Sequence, residues 1–299
     1  AITWDYFSNG DQASLELKKW INEVLDLSKK YFKSKKIAID VLNGPAVLDL
    51  NKNGIEVVDA KSILEQARVI KSPDEIICMK AAIDVAEIGI SKMRSELRPG
   101  MTEDELWSIL HKTNIEHGGE WIECRILSSG QRTNPWMQES SNKVIQYGEM
   151  VGFDTDMVGP YGYCADISRS FVVDNKFNEE QKKLYSIAME QIDYNSKLIK
   201  NGMAFEEFVE KSWVLPQEYY PNRYSVMVHG IGLCDEWPAI RYPDDGGERT
   251  GVFKKNMTIT VESYIGKVKG KEGVKLEQQY LVGENGLELM SHHPLEDIK

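Results

Sequence analysis

The chain has 299 residues, 41% of them apolar and 28% charged, and its 36 basic against 47 acidic side chains leave a net charge of −11. That size and composition suit one large soluble domain with a smaller one beside it. The acidic balance argues against a nucleic-acid partner, and no apolar run approaches the ~18 residues a membrane-spanning helix requires.

Taken in chain order, residues 1–70 read as a small α/β domain. Leu15–Tyr31 carries apolar residues at helical spacing, and Lys36–Leu42 and Ile55–Val58 are short β-rich runs between Gly/Asn turns. The chain opens on Ala1 with no basic-then-apolar leader, which leaves a missing upstream segment open. Ser72-Pro73-Asp74-Glu75 is a strong helix start: Ser72 can cap, Pro73 suits the first turn and Glu75 completes a capping box. This helix is predicted to run to about Leu97 and stop before Pro99-Gly100, so the domain boundary is placed near residue 70 and a second domain over 71–299.

The second domain repeats itself. LRPGMTEDEL (97–106) resembles IKNGMAFEEF (199–208), and each follows one predicted helix and opens another. Each half then reaches a β-rich stretch ending in acids, YGEMVGFDTD (147–156) and KKNMTITVES (254–263). Two αβ halves would face each other, with a pocket between them.

The acids and one imidazole of these stretches form an ordered set: Asp154 and Asp156, Asp166, His229, Glu262 and Glu277. Asp154 and Asp156 would point the same way on a strand. Asp166 follows a glycine-rich turn (Gly159, Gly162) that can return as a hairpin. Ile259–Tyr264 and Val274–Leu281 alternate as strands and carry the two glutamates. Any one of these acids alone would read as a surface residue. Together, inside apolar strands, they need ions or partners to offset their burial. One imidazole among carboxylates is a hard, oxygen-rich set that suits Fe(II), Mn(II), Co(II) or Zn(II) better than a thiolate zinc site would. The four cysteines (Cys78, Cys124, Cys164, Cys234) form no C-x-x-C pair. They suggest a reducing, cytoplasmic compartment, with Cys164 and Cys234 read as small buried hydrophobes.

The segments YCADISRSF, HGIGL, VES and KLEQQYLV, in that order, resemble the "pita-bread" α+β fold of methionine aminopeptidase, prolidase and creatinase over about residues 72–290. The resemblance implies two metal ions, bridged by Glu277 and an Asp. The departures are informative. The peptidases carry a second His a few residues after the metal-binding one, and this chain has HGIGLCDEWP there. They carry another His before the first metal Asp, and SSGQRTNPWMQES (128–140) has none. His111 and His117 fall on a predicted helix and its end, and His292 and His293 lie near the C-terminus. FDTD also has an acid where the peptidases have Gly.

This altered pattern (RTNPW, FDTD, DISR and HGIGLCDEWP) resembles the metallopeptidase-like dimethylsulfoniopropionate lyases of the DddP type. That resemblance implies β-elimination of a small sulfonium substrate, an iron-type pair of ions (Mn, Co, Zn or Ni being the other candidates) and a homodimer. It also implies Asp235 as base and Tyr224 in contact with substrate. Trp121, Trp136 and Trp237, with Tyr224, are the aromatic side chains of the site segments that could face a sulfonium. Two other readings stay open: an Xaa-Pro-type metalloaminopeptidase, and a non-catalytic binding module on the same fold.

Overall fold

The structure, a computed structural model, describes residues 3–32, 34–247 and 249–298. The chain divides into two compact units, Ala1–Ala67 and Arg68–Lys299.

In the first unit α1 (Tyr6–Asn9) and α2 (Ala13–Tyr31) precede β1 (Lys36–Ile39), α3 (Gly44–Lys52) and β2 (Glu56–Asp59), and α4 (Lys61–Arg68) ends one residue past the division. β1 and β2 pair in parallel, which demands a crossover, and α3 supplies it. Leu17 and Ile21 of α2 bury against Ala46 and Leu50 of α3 and Ile55. The strand expected over Lys36–Leu42 stops at Ile39, because Asn43 caps α3 by accepting from the Ala46 N–H at 3.1 Å.

The second unit is α+β. α5 (Pro73–Glu96) starts at the expected capping box, Ser72 accepting from Glu75 N–H at 3.3 Å and Glu75 accepting from Ser72 N–H at 2.7 Å. α6 (Glu103–Glu116) starts the same way at Thr102 and Glu105. Short strands follow: β3 (Trp121–Ile122), β4 (Leu127–Ser129), β5 (Met150–Phe153), β6 (Met157–Val158), β7 (Cys164–Ala165) and β8 (Arg169–Val172). They form two three-stranded sheets, β3-β6-β7 and β4-β5-β8. α7 (Glu179–Leu198) and α8 (Phe205–Lys211) then lead into β9 (Val226–Ile231), β10 (Asp235–Arg241), β11 (Thr258–Gly266), β12 (Gly273–Val282) and β13 (Leu287–Leu289), a five-stranded sheet ordered β10-β9-β11-β12-β13. The repeated segments thus sit at equivalent places, α5-to-α6 and α7-to-α8.

Each half has its own core. Met79, Ile83, Leu106, Phe153 and Phe171 belong to one, and Leu184, Phe205, Phe208, Val228, Ile259 and Leu276 to the other. β12 joins them. Glu277 N–H donates to Ser168 carbonyl at 3.1 Å, and the buried Arg169 guanidinium donates to the Glu277 carbonyl at 2.7 Å. No described helix is long and apolar enough to cross a membrane.

Candidate metal centre

The five-stranded sheet delivers three ligands by register. Glu262 of β11 lies directly opposite Glu277 of β12, and His229 of β9 lies opposite Thr260, two residues from Glu262 on β11. Like charges facing each other across a ladder repel, so this pairing needs positive charge between the two strands. The other half supplies the aspartates from loops. β5 ends at Phe153 and β6 begins at Met157, so Asp154 and Asp156 lie in a turn, and the expectation that they share one strand face fails. The cause is Asp156, whose φ of 36° is left-handed and breaks the strand. The turn is held by Thr155: its hydroxyl donates to the Ala165 carbonyl at 2.7 Å and accepts from Ile167 N–H at 2.9 Å, which ties the Asp154–Asp156 turn to the segment carrying Asp166. The expected hairpin is present, β6 pairing with β7 just before Asp166.

These elements bring the predicted ligands together. His229 Nε2 lies 3.3 Å from Asp166 Oδ2, 3.3 Å from Glu277 Oε1 and 3.8 Å from Glu262 Oε1. Its Nδ1 lies 3.0 Å from the Gly230 carbonyl, an arrangement that keeps the proton on Nδ1 and turns Nε2 to the acids. Oxygens of Asp156, Asp166 and Asp235 also lie within 4.8 Å of one another. Asp235 stands at the rim: its side chain is 62% exposed, and Oδ1 is 3.7 Å from His229 Nδ1. It opens β10, opposite Ile231.

Lys275 belongs to the same cluster, and the sequence reading missed it. Its ammonium is fully buried, 2.8 Å from Glu262 Oε2, 2.8 Å from Glu277 Oε2 and 3.3 Å from Asp154 Oδ2. The signal was available: in VKLE, Lys275 stands two residues before Glu277 and shares its strand face.

Burial governs the electrostatics. It raises the carboxyls of Asp156 and Glu262 to about 8, with Asp154 and Asp235 adding to the first and Lys275 opposing the second. Burial, with Glu277 and Asp154 adding to it, pushes Asp166 well above its ordinary value. Burial would raise Glu277 too, but Lys275 and His229 hold it below the usual range. His229 is raised despite burial by its contacts with Asp166 and Glu277. Buried oxygens Asp166 Oδ1, Glu262 Oε1 and Glu277 Oε1 have no hydrogen-bond partner among the described residues. Such orphaned carboxylate oxygens, converging on a histidine nitrogen, fit divalent cations.

The aromatic candidates separate. Trp136 and Tyr224 flank the cluster, with the Lys275 ammonium 5.6 and 5.4 Å from their ring centroids. Trp121 is 54% exposed on β3, two residues from Glu123, whose N–H donates to the Asp156 carbonyl. Trp237 instead packs edge-on against Phe205, centroids 5.3 Å apart, in the core of the second half. Cys164 is buried as expected, while Cys234 is only partly so.

A second buried network underlies Asp235. Glu236 lies 2.6 Å from Lys71 Nζ and accepts from Leu233 N–H at 3.0 Å, and the Glu236 and Lys71 side chains are each 1% exposed. Gly232 is required beside it, since a Cβ there would stand 2.3 Å from Glu236 Oε1.

Two αβ halves around a cluster of carboxylates and one histidine define a metallopeptidase-type protein. The chain belongs to metallopeptidase family M24, whose profile matches residues 77–284. Within the reach of that family it is similar to dimethylsulfoniopropionate lyase DddP of Roseovarius nubinhibens, with 36% identity over 97% of this chain and 67% of that protein. The like-named lyase of Roseobacter denitrificans matches to the same extent. The chain therefore spans about two thirds of their length. It is 29% identical to an Xaa-Pro dipeptidase of Pyrococcus furiosus over 75% of this chain and 63% of that one. Among solved structures, an Xaa-Pro dipeptidase from Bacillus anthracis superposes with a TM-score of 0.83 at 27% identity, covering 93% of this chain and 78% of the other.

Proposed function

We propose that this chain is a metal-dependent lyase that cleaves dimethylsulfoniopropionate to dimethyl sulfide and acrylate by β-elimination, with Asp235 as the base. The observation that carries the reading is Asp235 itself: an exposed carboxylate at the rim of the buried ligand cluster, 3.7 Å from His229, in the segment where the peptidase pattern has an imidazole. The 36% identity to two lyases of this name supports it.

Asp154, Asp156, Asp166, His229, Glu262 and Glu277 would hold two divalent ions. Bound there, the ions supply Lewis acidity that stabilises negative charge on the substrate carboxylate and acidifies the neighbouring C–H. Asp235 takes the proton from that carbon. The C–H electron pair becomes the new C=C bond, and the C–S pair leaves with sulfur as neutral dimethyl sulfide. No general acid is needed, because the leaving group departs uncharged. Trp121, Tyr224 and Trp136 hold the sulfonium by cation–π attraction. Trp237, packed against Phe205, supports the strand that Asp235 opens. The reading assigns the chemistry to residues 71–299, which follow a small domain over 1–70 in the sequence. It carries with it iron as the resident ion, a homodimer and a cytoplasmic location.

The test is incubation of metal-loaded protein with dimethylsulfoniopropionate and headspace detection of dimethyl sulfide. Asp235→Asn is expected to keep its metal and fold and to lose ~100- to 10,000-fold in rate, the usual cost of removing a general base. Release of dimethyl sulfide by this variant at the wild-type rate would exclude Asp235 as the base. The family membership and the Xaa-Pro dipeptidase likeness favour one second reading, peptide hydrolysis. Turnover of an Xaa-Pro dipeptide near ~10 per second, with no dimethyl sulfide formed, would establish it instead.

A further inference from the structure

Lys275 carries the only ammonium among the described residues that lies against the proposed ligands. A lysine buried to 0% exposure is costly unless its charge is matched. Here it is matched closely. The three N–H bonds of the ammonium have four acceptors inside the protein: Asp154 Oδ2 at 3.3 Å, Glu262 Oε2 at 2.8 Å, Glu277 Oε2 at 2.8 Å and Ser168 Oγ at 2.9 Å. The rings of Trp136 and Tyr224 cover its other side. No proton of this lysine is left over for a substrate.

The consequence for the two glutamates is geometric. Each presents Oε2 to Lys275 and Oε1 to His229, and the Oε1 atoms are the orphaned ones. The consequence for charge is arithmetic. Five ligand carboxylates and a neutral imidazole carry −5. One ammonium reduces this to −4, the charge that two divalent ions cancel. Asp235, largely in water, stands outside this balance.

We infer that Lys275 is the fixed counter-ion of the centre, a positioning residue that holds one oxygen of Glu262 and one of Glu277 and makes the cluster neutral with two divalent ions. This rests on the reading of the cluster as a two-ion centre. It goes beyond that reading by assigning to one non-ligand residue the selection of divalent over trivalent ions. A buried unit charge near the ions weighs heavily against a higher ionic charge, because screening inside the protein is weak.

The experiment loads wild type, Lys275→Met and Lys275→Arg with iron and measures three quantities: ions per chain, the ferric-to-ferrous ratio in a fixed redox buffer, and the melting temperature without metal. Lys275→Met keeps the stem and removes the charge. Its ferric-to-ferrous ratio is expected to rise ~10-fold or more, and its metal-free form to melt lower, because Glu262 and Glu277 lose their shared partner. Lys275→Arg keeps the charge and is expected to stay near wild type in the ratio. A Lys275→Met protein with the wild-type ratio and melting temperature overturns the inference, as does a Lys275→Arg protein shifted as far as Lys275→Met. Should neither variant fold, Lys275→Ala is refolded with n-butylammonium or with n-butanol: recovery with the cation alone supports the counter-ion, and equal behaviour overturns it. A wild type that takes up no ions sinks the two-ion reading, and the inference with it. A wild type with two ions beside an unmoved Lys275→Met sinks the inference alone.

Discussion

Glu236→Gln tests whether the strand carrying Asp235 is anchored by the buried Lys71 ammonium. The substitution keeps shape and the acceptor for Leu233 N–H but removes the charge 2.6 Å from Lys71, and both side chains are 1% exposed. Breaking a buried pair from one side strands the remaining charge, at a cost of about 3–5 kcal/mol. Arg68, 3.4 Å from the same carboxylate and 28% exposed, repels the stranded lysine and gives no relief. For a unit of this size each kcal/mol moves the melting temperature by roughly 2–4 °C, so a drop of roughly 10 °C is expected. Because Leu233–Glu236 brackets Asp235, the elimination rate at saturation is expected to fall ~10-fold or more through misplacement of the base, with a smaller change in KM. The assay is chemical denaturation of Glu236→Gln, Lys71→Met and the double variant, alongside dimethyl sulfide release. The double variant buries no stranded charge and should be more stable than Glu236→Gln alone. A loss below about 1 kcal/mol in Glu236→Gln, or a double variant no better than the sum of the singles, would refute the reasoning.

Two further outcomes follow from the centre itself. His229→Ala and Glu277→Ala each remove a converging ligand and should lose bound metal by elemental analysis, and retention of two ions by both would contradict the ligand assignment. Metal affinity should also rise with pH. Burial raises Asp156 and Glu262 to about 8 from ordinary values of 3.8 and 4.5, so the metal-free fold holds protons near neutrality that the unfolded chain has released. The stabilisation from those groups is full below about pH 4 and is lost as pH climbs toward 8, while a bound ion must displace the protons. Chelator competition should therefore show ~10- to 100-fold tighter binding per pH unit between about pH 6.5 and 7.5 for one to two displaced protons. A flat profile would mean the carboxyls are already ionised without metal.

What the sequence determined on its own was whatever is decided within a few residues. The capping box at Ser72/Glu75 closes over three residues, so that helix start was legible. The alternation around Glu262 and Glu277 marked two strands, each carrying an acid, and the order of acids and histidine pointed to a metal-type centre. Tertiary structure decided what depends on distant partners. Asp154 and Asp156 left the strand because Asp156 takes a left-handed φ of 36°, in a segment that Thr155 holds by bonding across to Ala165 and Ile167. Trp237 turned to Phe205, because the core of the second half offers it a ring to pack on. Lys275 reads locally as one more charge on a strand. It becomes part of the centre only because β11 and β12 pair in a register that sets Glu262 opposite Glu277, while the other half of the fold delivers Asp154, 121 residues away in sequence, to the same ammonium. Register and the meeting of two halves are set by the burial of whole faces, and no local window of sequence contains that energy.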